Sequence, residues 1–327
     1  MLDWNFISLK NLVRSNRILR GIVTRAMISR DFPAVIGVDP ASTCNLACTF
    51  CGPRLMSEPR GIMPLSLFAR LVDEISAHKK LWMLILHNFG EPLMNPDIAA
   101  MVALAKKKRV TRSVQFATNA TLLTEEKSRA LIDAGLDGIV LSVDALTREE
   151  YRELKGMDLL DAVRENARTL MSLKRRLRSA KPHVCAKMVR RQDYEHTFKP
   201  FLREWRAIVD EAALTPYSNW GDAVDYQGTQ KQLPPRYACH FLWYYPAVNW
   251  DGRVFFCCAA CDPSAVIGDL KDQSLSEIWH GERLAQVRKA HLEKRFSDIA
   301  VCARCTYWSE SGVNLDRWLK KKMGTPQ

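Results

Sequence analysis

Short apolar runs alternate with amphipathic helical stretches between residues 34 and 214, and this alternation predicts a parallel β/α sheet. The apolar runs occupy residues 34–39, 82–88, 114–118, 138–144, 184–189 and 212–214. Helical spacing of apolar residues follows them around 65–80, 98–108, after Thr124, up to about 178, and around 198–209. Six such units predict an α/β fold, a partial (β/α)6 TIM-like barrel that is open on one side.

Four segments are predicted from this pattern. Residues 1–33 form a basic amphipathic helical segment, 34–232 the barrel, 233–312 a small cysteine-rich domain, and 313–327 a basic tail. Apolar positions within residues 1–32 alternate with regularly placed Arg and Lys. We expect this segment to pack against the barrel, and the alternative is an interfacial helix that contacts an acidic membrane surface.

Composition narrows the class of protein. The chain has 327 residues, a formal net charge of +12 and no long apolar run, so we expect no transmembrane helix. Basic residues interrupt every apolar stretch near the N-terminus, which argues against a signal peptide and favours a cytoplasmic protein. The ten cysteines are therefore expected to be metal ligands or free thiols rather than disulfides. The charge fits a solvated surface, an anionic substrate, nucleic acid or a membrane, and does not choose among them.

Three cysteines directly follow the first predicted strand, as Cys44, Cys48 and Cys51. Thiolates at this spacing suit three corners of a cubane iron–sulfur cluster and leave its fourth iron open. A zinc site would need a fourth protein ligand close by, and residues 52–54 supply none. In parallel β/α folds, the carboxyl ends of the strands carry the chemistry, and the cysteines lie there.

Polar segments follow the later strands in the same way. They are His87–Leu93, Ala117–Ala120, Leu141–Asp144 and Arg190-Arg191. Together with the three cysteines, this order of motifs resembles the radical S-adenosylmethionine (SAM) superfamily. The resemblance implies a [4Fe–4S] cluster on Cys44, Cys48 and Cys51, whose open iron is chelated by SAM. One electron, from a donor such as flavodoxin or ferredoxin, then cleaves SAM to a 5′-deoxyadenosyl radical.

The resemblance also implies a set of SAM ligands. Phe89-Gly90-Glu91 stands where the family has Gly-Gly-Glu, which holds the amino group of SAM; Phe89 departs from that pattern. Thr118 and Asn119 resemble the Thr-Asn-Gly segment, and Ser142 belongs to a Ser-x-Asp segment whose Asp144 equally fits a loop cap. Arg190 is a candidate partner of the SAM carboxylate, although a solvated surface arginine explains it equally well.

Six further cysteines lie in the last ninety residues or so: Cys239, Cys257, Cys258, Cys261, Cys302 and Cys305. A zinc-ribbon register would pair Cys258 and Cys261 with the last two, across a longer gap than usual. The register of Cys239, Cys257, Cys302 and Cys305 instead resembles the auxiliary-cluster domains called SPASM and twitch. It implies one auxiliary [4Fe–4S] cluster. Cys258 and Cys261 are left over as packing thiols, substitute ligands or hydrogen donors to a substrate radical.

This layout looks most like the aminocyclitol dehydrogenases and their sugar-epimerising relatives. It implies an oxidoreductase or epimerase that acts on a small carbohydrate-like molecule. The second hypothesis is a peptide-modifying maturase, for which residues 1–32 are too short to be the usual peptide-recognition domain. The third is a zinc-ribbon nucleic-acid-binding protein without catalysis, and no motif here requires a nucleic acid partner.

Overall fold

The computed structural model describes residues 16–55, 58–225, 227–228, 234–260 and 262–323. Its barrel strands are β1 (Val35–Val38), β2 (Met83–Ile85), β3 (Val114–Thr118), β4 (Gly138–Ser142), β5 (His183–Val189) and β6 (Glu211–Thr215). Each strand pairs in parallel with the next one along the chain. The predicted α/β class and partial (β/α)6 barrel are therefore confirmed.

Helices fill the connections, as the amphipathic spacing predicts. They are α1 (Arg17–Met27), α2 (Leu65–Ser76), α3 (Ile98–Lys107), α4 (Glu125–Asp133), α5 (Arg148–Lys155), α6 (Leu160–Arg176), α7 (Phe198–Arg206), α8 (Leu275–His280), α9 (Glu282–Leu292), α10 (Ala300–Ala303) and α11 (Asp316–Met323). Thr124 caps α4 by accepting a hydrogen bond from the Lys127 amide at 3.2 Å. A capping box of Thr147 and Glu150 starts α5, and Gly156, at φ 80°, ends it.

The C-terminal region continues the barrel sheet. Strand β7 (Ala247–Val248) pairs in parallel with β1, and β8 (Arg253–Phe255) and β9 (Val266–Asp269) add antiparallel strands beyond it. Among the described residues the sheet order is β6-β5-β4-β3-β2-β1-β7-β8-β9. Gly252 occupies the turn before β8 at φ 97°, a left-handed conformation that favours glycine. Backbone hydrogen bonds therefore join the cysteine-rich region to the first barrel strand.

A partly buried ion pair lies at the N-terminal end of β5. The Lys174 side chain is 6% exposed, and its Nζ lies 2.5 Å from Asp210 Oδ2. The same carboxylate oxygen accepts a hydrogen bond from the Val184 amide at 2.8 Å. Since the barrel strands are parallel, this pair lies at the end of the sheet opposite to the Cys44–Cys51 segment.

Helix α1 is the described part of the predicted N-terminal amphipathic segment. One face packs inward, with Thr24 4% exposed, whereas Ile18 is 75% and Ile22 55% exposed. Residues 1–15 lie outside the described residues, so contact of this segment with a membrane surface stays a prediction. None of the described helices combines the length and the apolar content that crossing a membrane requires.

Candidate functional site

The loop that carries Cys44, Cys48 and Cys51 is held by the end of α5. The Ala47 amide donates to the Lys155 carbonyl at 3.3 Å, and the Thr49 amide donates to the Leu154 carbonyl at 2.9 Å. Carbonyls in the last turn of a helix have no partner within the helix, so they are free to accept these bonds. The conformation of the cysteine loop thus depends on where α5 ends.

Gly90 lies directly beneath the start of the same loop. The Glu91 amide donates to the Thr43 carbonyl at 2.9 Å. A Cβ atom at Gly90 would lie 2.1 Å from the Ala41 carbonyl oxygen and 2.4 Å from that of Thr43. Both contacts involve backbone, so only glycine allows this close approach.

The Glu91 carboxylate joins the ends of β2 and β3. It is 2% exposed and accepts hydrogen bonds from the Leu93 amide (3.0 Å), the Thr118 hydroxyl (2.6 Å) and the Asn119 amide (2.7 Å). Burial raises the pKa of Glu91, and these hydrogen bonds act in the opposite direction. The carboxylate is therefore fixed in orientation.

Asn119 continues this network into the cysteine loop. Its Nδ2 donates to Asn45 Oδ1 at 2.9 Å and lies 3.9 Å from Cys44 Sγ. Asn45 in turn donates to the Thr121 hydroxyl at 2.8 Å. The structure thus brings together three segments that sequence reasoning placed after β1, β2 and β3.

One cavity of about 860 Å³ lies over these strand ends. Ten of the predicted site residues line it: Cys44, Cys48, Cys51, Phe89, Gly90, Glu91, Thr118, Asn119, Ser142 and Cys258. Arg190 does not line it and is exposed, so a contact between Arg190 and SAM stays a prediction. The volume is ample for a nucleoside-sized molecule together with a substrate.

The polar groups in the cavity fit a cluster and a zwitterionic ligand. Thr43 Oγ1 and Asn88 Nδ2 are buried there without a hydrogen-bond partner among the described residues. Burial raises the pKa of Cys51 to about 11, so a bound metal would be needed to hold its thiolate form at neutral pH. Buried polar atoms without partners, and thiols that would be deprotonated only by binding a metal, are the features expected of a cofactor site.

Four C-terminal cysteines line a second, smaller cavity: Cys239, Cys257, Cys302 and Cys305. Burial raises the pKa of Cys302 to about 12, and it raises those of Cys239 and Cys305 as well. The Arg236 guanidinium lines the same cavity and donates to the Ala303 carbonyl at 2.7 Å. These four cysteines are the ones that the auxiliary-cluster register selects.

Cys258 does not line this cavity, although it directly follows Cys257 and its side chain is hydrogen-bonded to that of Cys257. It lines the large cavity, where its Sγ lies 3.5 Å from the Tyr307 hydroxyl. Cys261, the other leftover cysteine, lies outside the described residues. Adjacent cysteines therefore line different cavities.

Sequence reasoning missed the role of Asp39 and the position of the Phe89 side chain. Asp39 is fully buried, and its Oδ1 accepts from the Phe89 amide (3.1 Å) and the Gly90 amide (3.4 Å). Burial raises the pKa of Asp39 to about 7. The Phe89 ring packs edge-on against Phe255 of β8, with centroids 5.4 Å apart. The sequence does show a carboxylate directly after an apolar strand, and this feature could have identified Asp39.

His87 and Lys155 are further residues of the large cavity that sequence reasoning did not single out. His87 Nδ1 accepts a hydrogen bond from the Ala117 amide at 2.9 Å, which links the ends of β2 and β3. Lys155 is buried at the end of α5 and pairs with Asp144. A histidine after a strand gave a weak signal, whereas nothing in the local sequence marked Lys155.

Two family models match the chain. The model described as the radical SAM superfamily matches residues 38–184, and the model described as an iron–sulfur cluster-binding domain, SPASM, matches residues 239–306. The second match contradicts the zinc-ribbon hypothesis for the C-terminal cysteines. The two matched ranges include every cysteine proposed above as a cluster ligand.

Two curated relatives match most of the chain. A tungsten-containing aldehyde ferredoxin oxidoreductase cofactor-modifying protein of Pyrococcus furiosus is 23% identical over 318 residues, covering 84% of this chain and 89% of the relative. An S-adenosyl-L-methionine-dependent 2-deoxy-scyllo-inosamine dehydrogenase of Niallia circulans is 20% identical over 278 residues, covering 83% and 92%.

Solved structures share the fold. BtrN in complex with AdoMet and 2-DOIA aligns with a TM-score of 0.58 at 18% identity, covering 84% of this chain and 93% of BtrN. Streptococcus suis SuiB bound to the precursor peptide SuiA aligns with a TM-score of 0.63 at 16% identity, covering 79% and 67%. At these identities the likeness concerns the fold.

We predict that Gly90→Ala disrupts the cysteine loop, because the added Cβ would contact two of its backbone carbonyl oxygens. After anaerobic reconstitution, the variant should hold about half the iron of the wild type or fail to fold. Iron and sulfide quantification with absorbance spectra measures this. Gly21→Ala is the matched control, since its Cβ would make only an ordinary contact of 3.8 Å with Val313. Wild-type iron content in Gly90→Ala would contradict the prediction.

Proposed function

We propose that this chain, which belongs to the radical SAM superfamily and carries a SPASM domain, oxidises or epimerises a carbohydrate-like or aminocyclitol substrate. Its cofactors are a [4Fe–4S] cluster, auxiliary iron–sulfur binding in the SPASM domain, and SAM. When bound, the first cluster and SAM supply a 5′-deoxyadenosyl radical that removes a hydrogen atom from a substrate carbon. The protein binds, orients and shields the reactants.

One observation carries this proposal: a single cavity reaches from the Cys44–Cys51 loop to the SPASM domain. Cys258 and Tyr307 form part of its far wall, and Cys257 and Tyr307 also line the smaller cavity behind it. A substrate in this space would lie between the two cluster sites. That position suits a reaction in which the substrate is attacked at one site and gives up an electron or receives a hydrogen atom at the other.

The residues of the cavity have distinct proposed tasks. Cys44, Cys48 and Cys51 would hold the first cluster, and Cys239, Cys257, Cys302 and Cys305 a single auxiliary cluster. Glu91 carries a negative charge suited to the amino group of SAM, and its three hydrogen bonds keep it in place. Ser142 contributes a hydroxyl to the cavity, and the Thr43 hydroxyl and Asn88 amide offer unpartnered polar atoms.

The name of one curated relative supports a small-molecule substrate. The Niallia circulans relative is named as a dehydrogenase of 2-deoxy-scyllo-inosamine, and this chain covers 92% of it. Among neighbours solved with a peptide, it covers 67% of SuiB and 90% of anSMEcpe, so coverage does not separate the two substrate classes. Modification of a peptide is the second candidate, because SuiB shares the fold at a TM-score of 0.63. Flavodoxin or ferredoxin is the proposed electron donor.

Replacing Cys44, Cys48 and Cys51 together with alanine should remove about four of roughly eight irons per chain and abolish SAM cleavage. The loss follows because these thiols would supply all the protein ligands of the first cluster. Iron quantification and chromatography of 5′-deoxyadenosine measure the two effects. Cys185→Ala is the control: this fully buried thiol on β5 lines neither cavity and should leave both values unchanged. Persistent SAM cleavage in the triple variant would refute the assignment.

The substrate class is tested by deuterium transfer. Anaerobic reactions with deuterated aminocyclitols, sugars and short peptides should yield deuterated 5′-deoxyadenosine with the aminocyclitols or sugars. They should also raise its formation at least tenfold above the uncoupled rate. Mass spectrometry gives both values. Deuterium transfer from peptides alone would favour the second candidate function.

Cys258 separates epimerisation from oxidation. If it is the hydrogen donor of an epimerase, Cys258→Ala should still cleave SAM, but solvent deuterium should no longer enter the product. If the enzyme is a dehydrogenase, the oxidised product should form at a rate close to that of the wild type. Product analysis in D₂O distinguishes the two. Epimerised product with a normal deuterium content from Cys258→Ala would exclude Cys258 as the donor.

A further inference from the structure

We propose that the buried Lys155 ammonium is a positioning charge that favours the reduced state of the cluster on Cys44, Cys48 and Cys51. The proposal rests on the function proposed above, because it assumes that these cysteines hold a redox-active cluster. In this proposal Lys155 helps to set the reduction potential of that cluster. Lys155 need not touch the substrate for this role.

Lys155 is fixed within the wall of the large cavity. Its side chain is 3% exposed, and its Nζ lies 2.5 Å from Asp144 Oδ2 and 3.1 Å from the Ser142 carbonyl oxygen. Asp144 is itself held by the Val189 amide, which donates to its other carboxylate oxygen at 2.8 Å. Asp144 therefore acts as the anchor that orients the ammonium group.

The ammonium group faces the cysteine loop. Its Nζ lies 5.2 Å from the ring centroid of Phe50, the residue immediately before Cys51. The Phe50 ring also lies 5.8 Å from the Arg191 guanidinium, which is 9% exposed. Two largely buried cations thus flank an aromatic ring that belongs to the cluster loop, a favourable cation–π arrangement.

Lys155 shares a wall with the proposed ligands. It lines the large cavity together with Cys44, Cys48 and Cys51. Because its side chain is only 3% exposed, little water screens its charge from the loop. Lys155 is therefore a buried cation beside the place where the first cluster would bind.

The consequence follows from electrostatics. Reduction of a cluster adds one negative charge, and a fixed cation nearby stabilises that charge, more strongly where water is excluded. The Asp144 carboxylate opposes the effect, but the Lys155 ammonium is the member of the pair that lies against Phe50 of the cysteine loop. We therefore expect the ammonium to outweigh the carboxylate at the loop.

The structure also allows the charge to be separated from the support of the loop. The Lys155 backbone carbonyl accepts the Ala47 amide, and that bond does not depend on the side chain. Replacing the side chain should therefore change the charge and leave this support in place. Lys174 offers a matched control, because its side chain is also buried and forms a 2.5 Å pair, with the partly exposed Asp210, at the opposite end of the sheet.

The test is an EPR-monitored redox titration of the anaerobically reconstituted holoenzyme, following the cluster signal that changes when SAM is added. Lys155→Met should lower the equilibrium constant for reduction at least tenfold, which corresponds to about 59 mV toward more negative potential for one electron. Iron content should stay at the wild-type value. Lys155→Arg should restore a potential near that of the wild type, and Lys174→Met should leave it unchanged.

A normal potential in Lys155→Met with intact iron would overturn the proposal, as would an equal shift in Lys174→Met. If Lys155→Met loses iron, the double variant Asp144→Asn/Lys155→Met removes the unpaired buried carboxylate as well. Its potential should still be more negative than that of the wild type, and an unchanged value would also overturn the proposal. Failure of the proposed function looks different, because the Cys44/Cys48/Cys51 variant would then keep its iron and its SAM cleavage.

Discussion

The buried Glu91 carboxylate is the interaction on which the upper end of the barrel depends. It connects the ends of β2 and β3 through the Leu93 amide, the Thr118 hydroxyl and the Asn119 amide. Asn119 then reaches the cysteine loop through Asn45. Burying a carboxylate without hydrogen bonds would raise the free energy of the folded state. The carboxylate therefore stays buried only where these partners are in place. The loop can adopt its shape only if the strand ends that form this network are in place.

A few contacts likewise fix the position of the C-terminal cysteine group relative to the barrel. Strand β7 pairs with β1, the strand that leads into the cysteine loop, so the SPASM domain is hydrogen-bonded to the barrel at that point. The Phe89 ring strengthens the connection by packing against Phe255 of β8. This contact gives a physical reason for a large residue where the family has glycine, since the ring packs against β8 and joins two regions. The distance between the two cavities is therefore set by the sheet.

The strands and the residues at their ends were predictable from the sequence because parallel strands place all their carboxyl ends at one edge. Thr118 ends β3 and Asn119 follows it, whereas Gly90 and Glu91 lie in the loop after β2. The fold brings the four together because the two strand ends are adjacent. Arg190 also follows a strand, yet its side chain is exposed. Position after a strand thus predicts proximity to the site, and the direction of a side chain depends on the turn that follows.

Lys155 was not predictable by this reasoning because it lies at the end of a helix, eleven residues after Asp144. Helical periodicity indicates which face of α5 packs inward, but it does not indicate that the last turn lies over the cysteine loop. That placement follows from Gly156, whose left-handed conformation ends the helix, and from the backbone bonds that Leu154 and Lys155 accept from the loop. Such long-range contacts are absent from any local pattern.

The backbone at Cys257 and Cys258 places two adjacent thiols in two different cavities. Consecutive side chains here enter different cavities, so a proposed cluster ligand and a thiol in the substrate cavity differ by one peptide unit. A ligand thiolate has no proton to donate, so a hydrogen bond between the two sulfurs requires Cys258 to be the donor. The Cys258 proton would then point toward Cys257, so the S–H bond must turn toward the large cavity before Cys258 can give a hydrogen atom to a substrate. Loss of the auxiliary cluster would therefore change the hydrogen bonding of the Cys258 thiol. This one hydrogen bond links the large cavity to the smaller one.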